Sequence, residues 1–353
     1  METLTRGLIA VWLFYSTLYG FGEGNKIGQI VKTISSHVEQ IAYREGLLFW
    51  HRTYSIPFSI KGGQGIVKLN ITGSRLPVGK GKIDGVIDFT DQKGKLHKKI
   101  AKINGITTNF RKFQFKITPF QLGKWSFGIG RGLVKVTGNR VKGLITFPKV
   151  IYKGEGITVT GHVVTIQWEN SLRFKPTTSA GLVSFNLPQW QIQIMAVGAE
   201  VKDAQSQIFL FRPKLEFVVA NRKIEQVGVL ELLEKGIEQK ILNQPSTLRL
   251  SFRCGNVVAE GIDLGEAKFL LTTSFQTAQN LISRLLNRQW DGLMVSFQLK
   301  GSKPLINALR TSLGKGIPGL VWDNLNPVGK GYNLKVELKR EGELSINGKR
   351  VLP

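Results

Sequence analysis

Cations that alternate with aromatic side chains between residues 110 and 125 have the clearest potential for chemistry. The first part reads Phe110-Arg111-Lys112-Phe113-Gln114-Phe115-Lys116, and Lys124-Trp125 follows it. Side chains two positions apart on a strand share a face, so Phe113 and Phe115 lie together, with Arg111 on the same side. The pattern fits three environments: a core entered by the Phe rings, an anionic lipid or glycolipid surface, or nucleic acid, whose phosphates bind cations and whose bases stack on rings.

We expect an anionic ligand to meet exposed cations at the mouth of a groove in a β-sheet. The candidate residues of this surface are Lys68, Lys82, Arg111, Lys112, Lys116 and Lys124. Near a charged surface each cation attracts an anionic headgroup with roughly 1 kcal/mol. The alternative for every one of them is a solvated basic surface that has no ligand.

Residues that act elsewhere as nucleophiles, bases or metal ligands lack the necessary spacing here. No metal-binding pattern such as HExxH joins the four histidines, which are His37, His51, His97 and His162. Cys254 is the one cysteine, and no histidine motif accompanies it, which favours a structural thiol over a nucleophile. The sequence therefore predicts no catalytic residue, no cofactor and no metal site, and a protein that is not an enzyme.

The glycine-rich stretch Gly128-Ile129-Gly130-Arg131-Gly132 resembles a nucleotide-binding loop only superficially. A loop that holds phosphate must open a helix, so that free backbone N–H groups point at the anion. The following residues, Leu133-Val134-Lys135-Val136, alternate as a strand does. We therefore expect a strand here and no phosphate loop.

The charge of the chain is strongly positive and is concentrated in one region. There are 49 Lys and Arg against 24 Asp and Glu, a formal net charge of +25. Residues 61–175 contain 22 of these cations and only five of the acids. With 42% apolar and 21% charged residues, the chain has enough apolar material for a core and is outside the range of disordered proteins. This balance indicates a folded body with a basic exterior that suits anionic partners.

Alternating apolar and polar residues predict that most of the body is β-structure. In Ile66–Thr72, for example, Val67, Leu69 and Ile71 fall on one side of a strand, and Lys68 falls on the other. The predicted joints between strands are Gly62-Gly63, Gly79-Lys80-Gly81, Asn104-Gly105 and Gly138-Asn139. Because short joints connect antiparallel strands, we predict a mainly β fold: a long, curved antiparallel sheet with an N-terminal anchor helix and a few packing helices.

The first residues have the character of a targeting segment. Arg6 precedes an apolar run over 7–15 that continues, diluted, to about Phe21. This length suits a signal sequence, and no Ala-x-Ala cleavage site follows it. We expect an uncleaved signal anchor; a cleaved signal peptide and a buried N-terminal element are the alternatives.

The sequence predicts four parts. They are a signal anchor or signal peptide over 1–22, an amphipathic helix over 23–46, a basic antiparallel β region over 47–175, and a β-rich region with helices and a C-terminal hairpin over 176–353. The first helix rests on apolar residues spaced by three and four, from Ile27 to Ile41. The same periodicity predicts helices over 227–242, 275–288 and 303–313.

The C-terminal segment resembles the end of the YdgA-like bacterial envelope proteins. The stretches that carry the likeness are Gly331-Tyr332-Asn333-Leu334-Lys335-Val336-Glu337-Leu338 and Gly342-Glu343-Leu344-Ser345-Ile346-Asn347-Gly348-Lys349. The order of an anchor, an amphipathic helix, a β-rich body and a closing hairpin is also similar. A looser likeness is to AsmA-like proteins, whose curved sheets form apolar grooves for lipids. The first resemblance implies an inner-membrane anchor with a periplasmic body and carries over no catalytic residue.

Together these features lead us to expect a membrane-anchored protein of the bacterial envelope, single-pass, with its body in the periplasm. If the N-terminal segment is cleaved, the body would instead be a soluble periplasmic protein. We expect it to bind an amphiphile, an anionic lipid or a partner protein through a groove of the sheet. The alternatives are a structural or interaction protein without a ligand, a nucleic-acid-binding protein and a hydrolase of an envelope polymer.

Overall fold

The structure of the protein is a computed structural model. It describes residues 27–28, 30–31, 38–45, 49–60, 63–74, 80–108, 111–138, 140–171, 175–179, 182–187, 190–220, 222–223, 246–275, 293–313, 322–339 and 343–352. The chain divides into two compact units: unit 1 is Met1–Thr146, Glu169–Arg173 and Gln226–Lys235, and unit 2 is Phe147–Trp168, Phe174–Glu225 and Gly236–Pro353.

Unit 1 is built from successive antiparallel strands. In chain order they are β1 (Glu39–Glu45), β2 (Phe49–Ile60), β3 (Gly63–Ser74), β4 (Lys80–Asp91), β5 (Leu96–Thr108), β6 (Lys112–Ile117), β7 (Phe120–Leu122), β8 (Trp125–Phe127), β9 (Gly130–Thr137) and the first part of β10 (Arg140–Lys153). Neighbouring strands in space run β1-β2-β3-β4-β5-β6-β9-β10. The short hairpin of β7 and β8 is inserted between β6 and β9.

One face of the unit 1 sheet is buried and the other is exposed, because apolar and polar residues alternate along its strands. The buried face carries the largest fully buried side chains of this unit, among them Trp50, Tyr54 and Ile56 of β2. It continues through the following strands with Leu69, Ile71, Ile83, Ile87, Phe89, Ala101, Ile103, Phe113, Ile117, Val134 and Val141. The lysines of the same strands therefore point to the opposite, solvated face.

Unit 2 is also mainly β. Its remaining strands are β11 (Thr158–Ser171, which ends in unit 1), β12 (Lys175–Ser179), β13 (Leu182–Leu187), β14 (Trp190–Met195), β15 (Gly198–Lys202), β16 (Gln207–Phe211), β17 (Lys214–Ala220), β18 (Arg222–Lys223), β19 (Ser246–Ala259), β20 (Ile262–Phe275), β21 (Leu293–Ser302), β22 (Asn326–Val328), β23 (Gly331–Leu338), β24 (Leu344–Ile346) and β25 (Lys349–Leu352). The helix α1 (Lys303–Leu313) follows β21.

The antiparallel order of unit 2 is β14-β17-β19-β20-β21-β23-β24-β25. Strand β19 also pairs with β16 beyond an irregularity that follows Cys254. The helix α1 packs on this sheet: an added Cβ at Gly301 of β21 would lie 3.0 Å from Leu305 and 3.3 Å from Ile306. Both of these side chains are buried.

The mainly β, antiparallel fold class predicted from the sequence is confirmed. The helix predicted over 303–313 and the closing strands from Gly331 are confirmed as well. The predicted anchor helix and the helix over 227–242 lie outside the described residues, as does nearly all of the helix over 275–288. Among the described residues, no helix combines the length and the apolarity needed to span a membrane.

The amphipathic helix predicted over 23–46 is wrong in its last part. Residues 27–28 and 30–31 are helical, but Glu39–Glu45 forms strand β1 and pairs with β2. The physical reason is that helical spacing is a weak preference, which the hydrogen bonds offered by the edge of a neighbouring strand override. Ile41 is accordingly 53% exposed, whereas Ile27 is fully buried.

Candidate anion-binding surface

The exposed face of β5, β6, β9 and β10 brings cations from separate strands into rows. Lys112 on β6 lies directly opposite Lys135 on β9, and Lys135 lies directly opposite Lys142 on β10. A second row places Lys116 opposite Arg131. We call this surface the basic face and define it by Lys102, Lys112, Lys116, Arg131, Lys135 and Lys142.

These cations share one side of the sheet because directly opposite residues in an antiparallel pair project to the same face. Neighbouring strands are about 4.8 Å apart, so the backbone positions of adjacent cations in a row are separated by the same distance. The two rows are four residues apart along β6, which corresponds to about 13 Å. Like charges directly opposite one another destabilise a sheet. The fold therefore holds these side chains together against their mutual repulsion.

Few carboxylates compensate the basic face. Among the described residues, Glu169 is the acid paired with it, at 3.0 Å from the Lys142 Nζ, and Glu169 also lies 3.5 Å from an Nη of Arg140. Within the described part of the chain, Lys112, Lys116, Arg131 and Lys135 form no ion pair. All four residues are exposed to solvent.

An apolar row lies between the two rows of cations. Ile106 on β5, Leu133 on β9 and Leu144 on β10 are joined across the strands, with Gln114 of β6 between the first two. Ile106 is 50% exposed, and Leu133 and Leu144 are half-buried. The basic face thus alternates cationic, apolar and cationic rows, an order that suits a ligand with both anionic and apolar groups.

The residues predicted from the sequence fall in three different settings. Lys112 and Lys116 lie on the basic face, where the structure brings them together with the cations of β9. Arg111 is exposed in the turn before β6, and Lys124 is exposed in the turn between β7 and β8. Neither residue belongs to the rows: Arg111 directly precedes β6, and Lys124 lies in the hairpin that links β6 to β9.

Lys68 and Lys82 are engaged with carboxylates of unit 1. The Lys68 Nζ lies 3.2 Å from Asp88, and the Lys82 Nζ lies 2.9 Å from Asp84. Asp88 accepts a hydrogen bond from the backbone N–H of Lys99 at 2.8 Å as well. That N–H bond and the Lys68 ammonium lower the pKa of Asp88, against the opposing effect of burial. These two lysines therefore contribute less free positive charge than the cations of β6 and β9.

The two phenylalanines between the cations of β6 belong to the interior. Phe113 is 5% exposed. The ring of Phe115 lies over Gly132 of β9, where an added Cβ would collide with it. The core interpretation is confirmed for Phe113, and the half-buried Phe115 lies on the same face. The cations of β6 point the other way because side chains alternate along a strand.

The sequence pattern did not single out Lys102, Arg131, Lys135 and Lys142 as binding residues, nor Arg52 as a buried cation. The alternation of Leu133–Val136 could have placed Lys135 outward, but only strand pairing shows that it lies opposite Lys112. Arg52 is 5% exposed on the buried face of β2, where its guanidinium lies 4.6 Å above the Tyr43 ring and donates to Gln40 at 3.2 Å. Arg52 lies two residues before Tyr54, so the alternation of the strand places both side chains on the same face and could have identified Arg52 as buried.

Cys254 has the environment of a structural thiol, as the sequence predicted. It is 1% exposed, and its sulfur lies 3.0 Å from the Asn256 carbonyl and 3.3 Å from the Phe211 carbonyl. Burial raises the pKa of this thiol, against the opposing effect of the two hydrogen bonds. A protonated, enclosed thiol is a poor nucleophile.

Other reactive side chains of the described residues are dispersed. No group of three or more His, Cys, Asp and Glu residues is placed to hold a metal ion there. His51 bonds the Thr72 hydroxyl at 2.9 Å, and His97 contacts Asp91 at 3.1 Å. The glycine-rich stretch leads into strand β9, as predicted, and its last three residues, 130–132, pair with β6.

Comparison with known proteins gives no relative from which a role could be transferred. No protein-family model matches the chain, and no curated protein or solved structure is significantly similar to it. The likeness of the C-terminal hairpin to the YdgA-like proteins, and the looser one to AsmA-like proteins, stay predictions.

Proposed function

We propose that this protein is a binding protein for anionic amphiphiles, with the basic face of unit 1 as its ligand surface. The observation that carries the proposal is the row of Lys112, Lys135 and Lys142, in which Lys135 lies directly opposite each of the other two cations. Among the described residues, Glu169 is the one acid paired with this row. Such a row lowers the stability of the sheet, so its presence is best explained by an anion that neutralises it.

The apolar row between the cations supports an amphiphile over a purely ionic ligand. Ile106 and Leu133 form an apolar strip that can contact a hydrocarbon chain. The cations on either side of it can bind phosphate or carboxylate groups. An anionic lipid headgroup and free polyphosphate share the anionic part of this chemistry. They differ in the apolar part, which the lipid alone supplies.

We further propose that the protein works at the bacterial inner membrane, with its body in the periplasm. The support is the basic start and apolar run over 7–15, together with the resemblance of the C-terminal hairpin to periplasmic YdgA-like proteins. An anionic membrane surface would then be a neighbour of the basic face.

The proposal is tested by reversing one charge of the lysine row in the full-length chain. Lys135→Glu places an acid between Lys112 and Lys142, and we expect it to weaken binding to phosphatidylglycerol vesicles and to inorganic polyphosphate by about tenfold. Lys93→Glu is the matched control, because it makes the same charge change at an exposed position in the turn between β4 and β5.

Titration of both variants at several salt concentrations separates the outcomes. A larger loss for Lys135→Glu than for Lys93→Glu supports the basic face as the site. Equal losses would mean that the net charge of the chain binds anions without a specific surface, and the proposal would be withdrawn. Vesicle binding that exceeds polyphosphate binding identifies the lipid as the preferred source of the anion.

A further inference from the structure

The hairpin of β7 and β8 presents an aromatic surface at one end of the basic face. Its pairing places Phe120 opposite Phe127 and Leu122 opposite Trp125. These four side chains share one face of the hairpin, and Gln121 and Ser126 share the other, because facing residues project together and neighbours alternate. The hairpin is therefore amphipathic across its two strands.

The rings on this face are in contact with one another and are only partly covered. The Phe120 and Phe127 rings stack with centroids 4.6 Å apart, and the Trp125 and Phe127 centroids are 6.3 Å apart. Trp125 is 40% exposed, and Ile129, just after the hairpin, is 51% exposed. Trp125 and Ile129 thus expose apolar surface on this hairpin and directly after it.

Cations flank the hairpin along the chain and occupy its turn. Lys124 is exposed in the turn that joins the two strands. Lys116 and Arg131, which lie opposite one another on β6 and β9, are each four residues from the hairpin strands. Tryptophan favours the boundary between lipid chains and water, and lysine and arginine favour anionic headgroups at the same depth. The residues of the hairpin and its base therefore match the composition of a membrane interface.

We propose that the Phe120–Phe127 hairpin is a membrane-interface anchor that inserts Trp125 among the headgroups of an anionic bilayer. The inference rests on the proposed function and deepens it, since it names a lipid bilayer as the partner of the basic face. Charge complementarity between the surrounding cations and anionic headgroups sets the orientation. Two short strands with four apolar side chains reach the headgroup region and the first part of the acyl chains.

Fluorescence quenching by brominated lipids tests the anchor in the full-length chain. Vesicles of phosphatidylglycerol and phosphatidylcholine, with bromine on the acyl chains, quench tryptophans that enter the bilayer. We expect Trp125→Phe, which keeps a ring in the stack, to remove a distinct part of the quenching. Comparison of the two proteins isolates Trp125 from the other six tryptophans, including Trp12 in the N-terminal apolar run.

A second variant measures the contribution of the anchor to binding. We expect Trp125→Ala to weaken vesicle binding by about fivefold while polyphosphate binding stays unchanged. Phe211→Ala is the matched control, because Phe211 is an exposed aromatic residue of unit 2, at 49% exposure. It should leave both kinds of binding as they are.

Each outcome decides one of the two proposals. If bromine quenches the wild type and Trp125→Phe equally, or if Trp125→Ala and Phe211→Ala bind vesicles alike, the anchor is refuted and the basic face stands. If Lys135→Glu and Lys93→Glu lose polyphosphate binding equally, the proposed function fails whatever the hairpin does. Quenching of Trp125 by single-stranded DNA in place of lipid would overturn the anchor in favour of base stacking.

Discussion

Gly105 lies inside strand β5, at a position where Asn104-Gly105 predicts a turn. The structure corrects that prediction and gives its cause. An added Cβ at Gly105 would meet the carbonyl of Gln114 and would lie 2.7 Å from the Cβ of Phe115, both on the paired strand β6. Glycine is required here because a neighbouring backbone approaches closely, and the chain continues straight through it.

We expect Gly105→Ala to destabilise unit 1 by about 1–3 kcal/mol, since β6 must shift to admit the methyl group. Urea unfolding followed by circular dichroism measures the effect. Gly198→Ala is the control, because the nearest atom to an added Cβ there is the Leu210 carbonyl oxygen at 3.7 Å. Equal unfolding midpoints for the two variants would contradict the close approach.

Glu216 is the centre of a polar cluster in unit 2. Its carboxylate accepts hydrogen bonds from Gln193 at 2.6 Å and from Ser251 at 3.2 Å, and Gln191 also donates to it. Burial alone would raise the pKa of Glu216. The Lys214 ammonium and the three hydrogen bonds outweigh burial, and the pKa lies below its ordinary value.

Because the pKa of Glu216 is lower in the folded state, its ionisation stabilises the fold above the unfolded-state pKa of about 4.5, and this contribution is lost as the pH falls through the lower folded-state value. Glu216→Gln should therefore cost about 1–3 kcal/mol at neutral pH and progressively less in acid. Urea midpoints measured across the acidic range give the comparison. A difference from wild type that stays constant with pH would exclude this role of the charge.

At the scale of elements, the pairing of β6, β9 and β10 creates the basic face. Each strand alone is an ordinary amphipathic segment with one to three lysines. Only the register that sets Lys112, Lys135 and Lys142 side by side produces a surface with concentrated charge. The hairpin of β7 and β8 lies in the segment that links β6 to β9.

Strand pairing leads to a prediction in which stability and binding change in opposite directions. Lys135→Glu replaces two like-charge pairs by two opposite-charge pairs, so we expect the free protein to gain about 0.5–1 kcal/mol at low salt. The same variant should bind anionic vesicles more weakly, because the added carboxylate repels their headgroups. Thermal unfolding without ligand measures the first effect, and a loss of stability would show that the lysine row is not strained.

At the scale of the whole molecule, a net charge of +25 affects both folding and binding. Repulsion among like charges destabilises the compact state and is screened by salt. We therefore expect the Tm of the free protein to rise between about 0.05 M and about 0.5 M NaCl, while its affinity for polyphosphate falls.

Potassium sulfate and sodium chloride at matched ionic strength serve as the comparison for this salt effect. Screening predicts similar shifts per unit of ionic strength. Because sulfate also stabilises proteins generally by exclusion from their surface, a specific anion site predicts extra stabilisation by sulfate that is larger in the wild type than in Lys135→Glu. A Tm that falls with salt would mean that the ion pairs of the described residues outweigh the repulsion.

The sequence by itself determined the fold class, the outward direction of the lysines and the helix over 303–313. Each of these depends on the local period of apolar residues, which is two residues for a strand and about 3.6 for a helix. This period can be seen directly in the order of residues. The residue types also predicted the turn at the C-terminus, where Asn347 and Gly348 both adopt positive φ between β24 and β25.

Only the tertiary structure decided which cations meet. Register joins Lys112 to Lys135 and Lys142, sets Lys68 against Asp88, and makes Gly105 a strand residue and Glu39–Glu45 a strand. The physical reason is that cross-strand distances arise from hydrogen bonds between segments that are far apart in the chain. A single-sequence pattern records the face on which a residue lies but carries no information about its partner on the next strand.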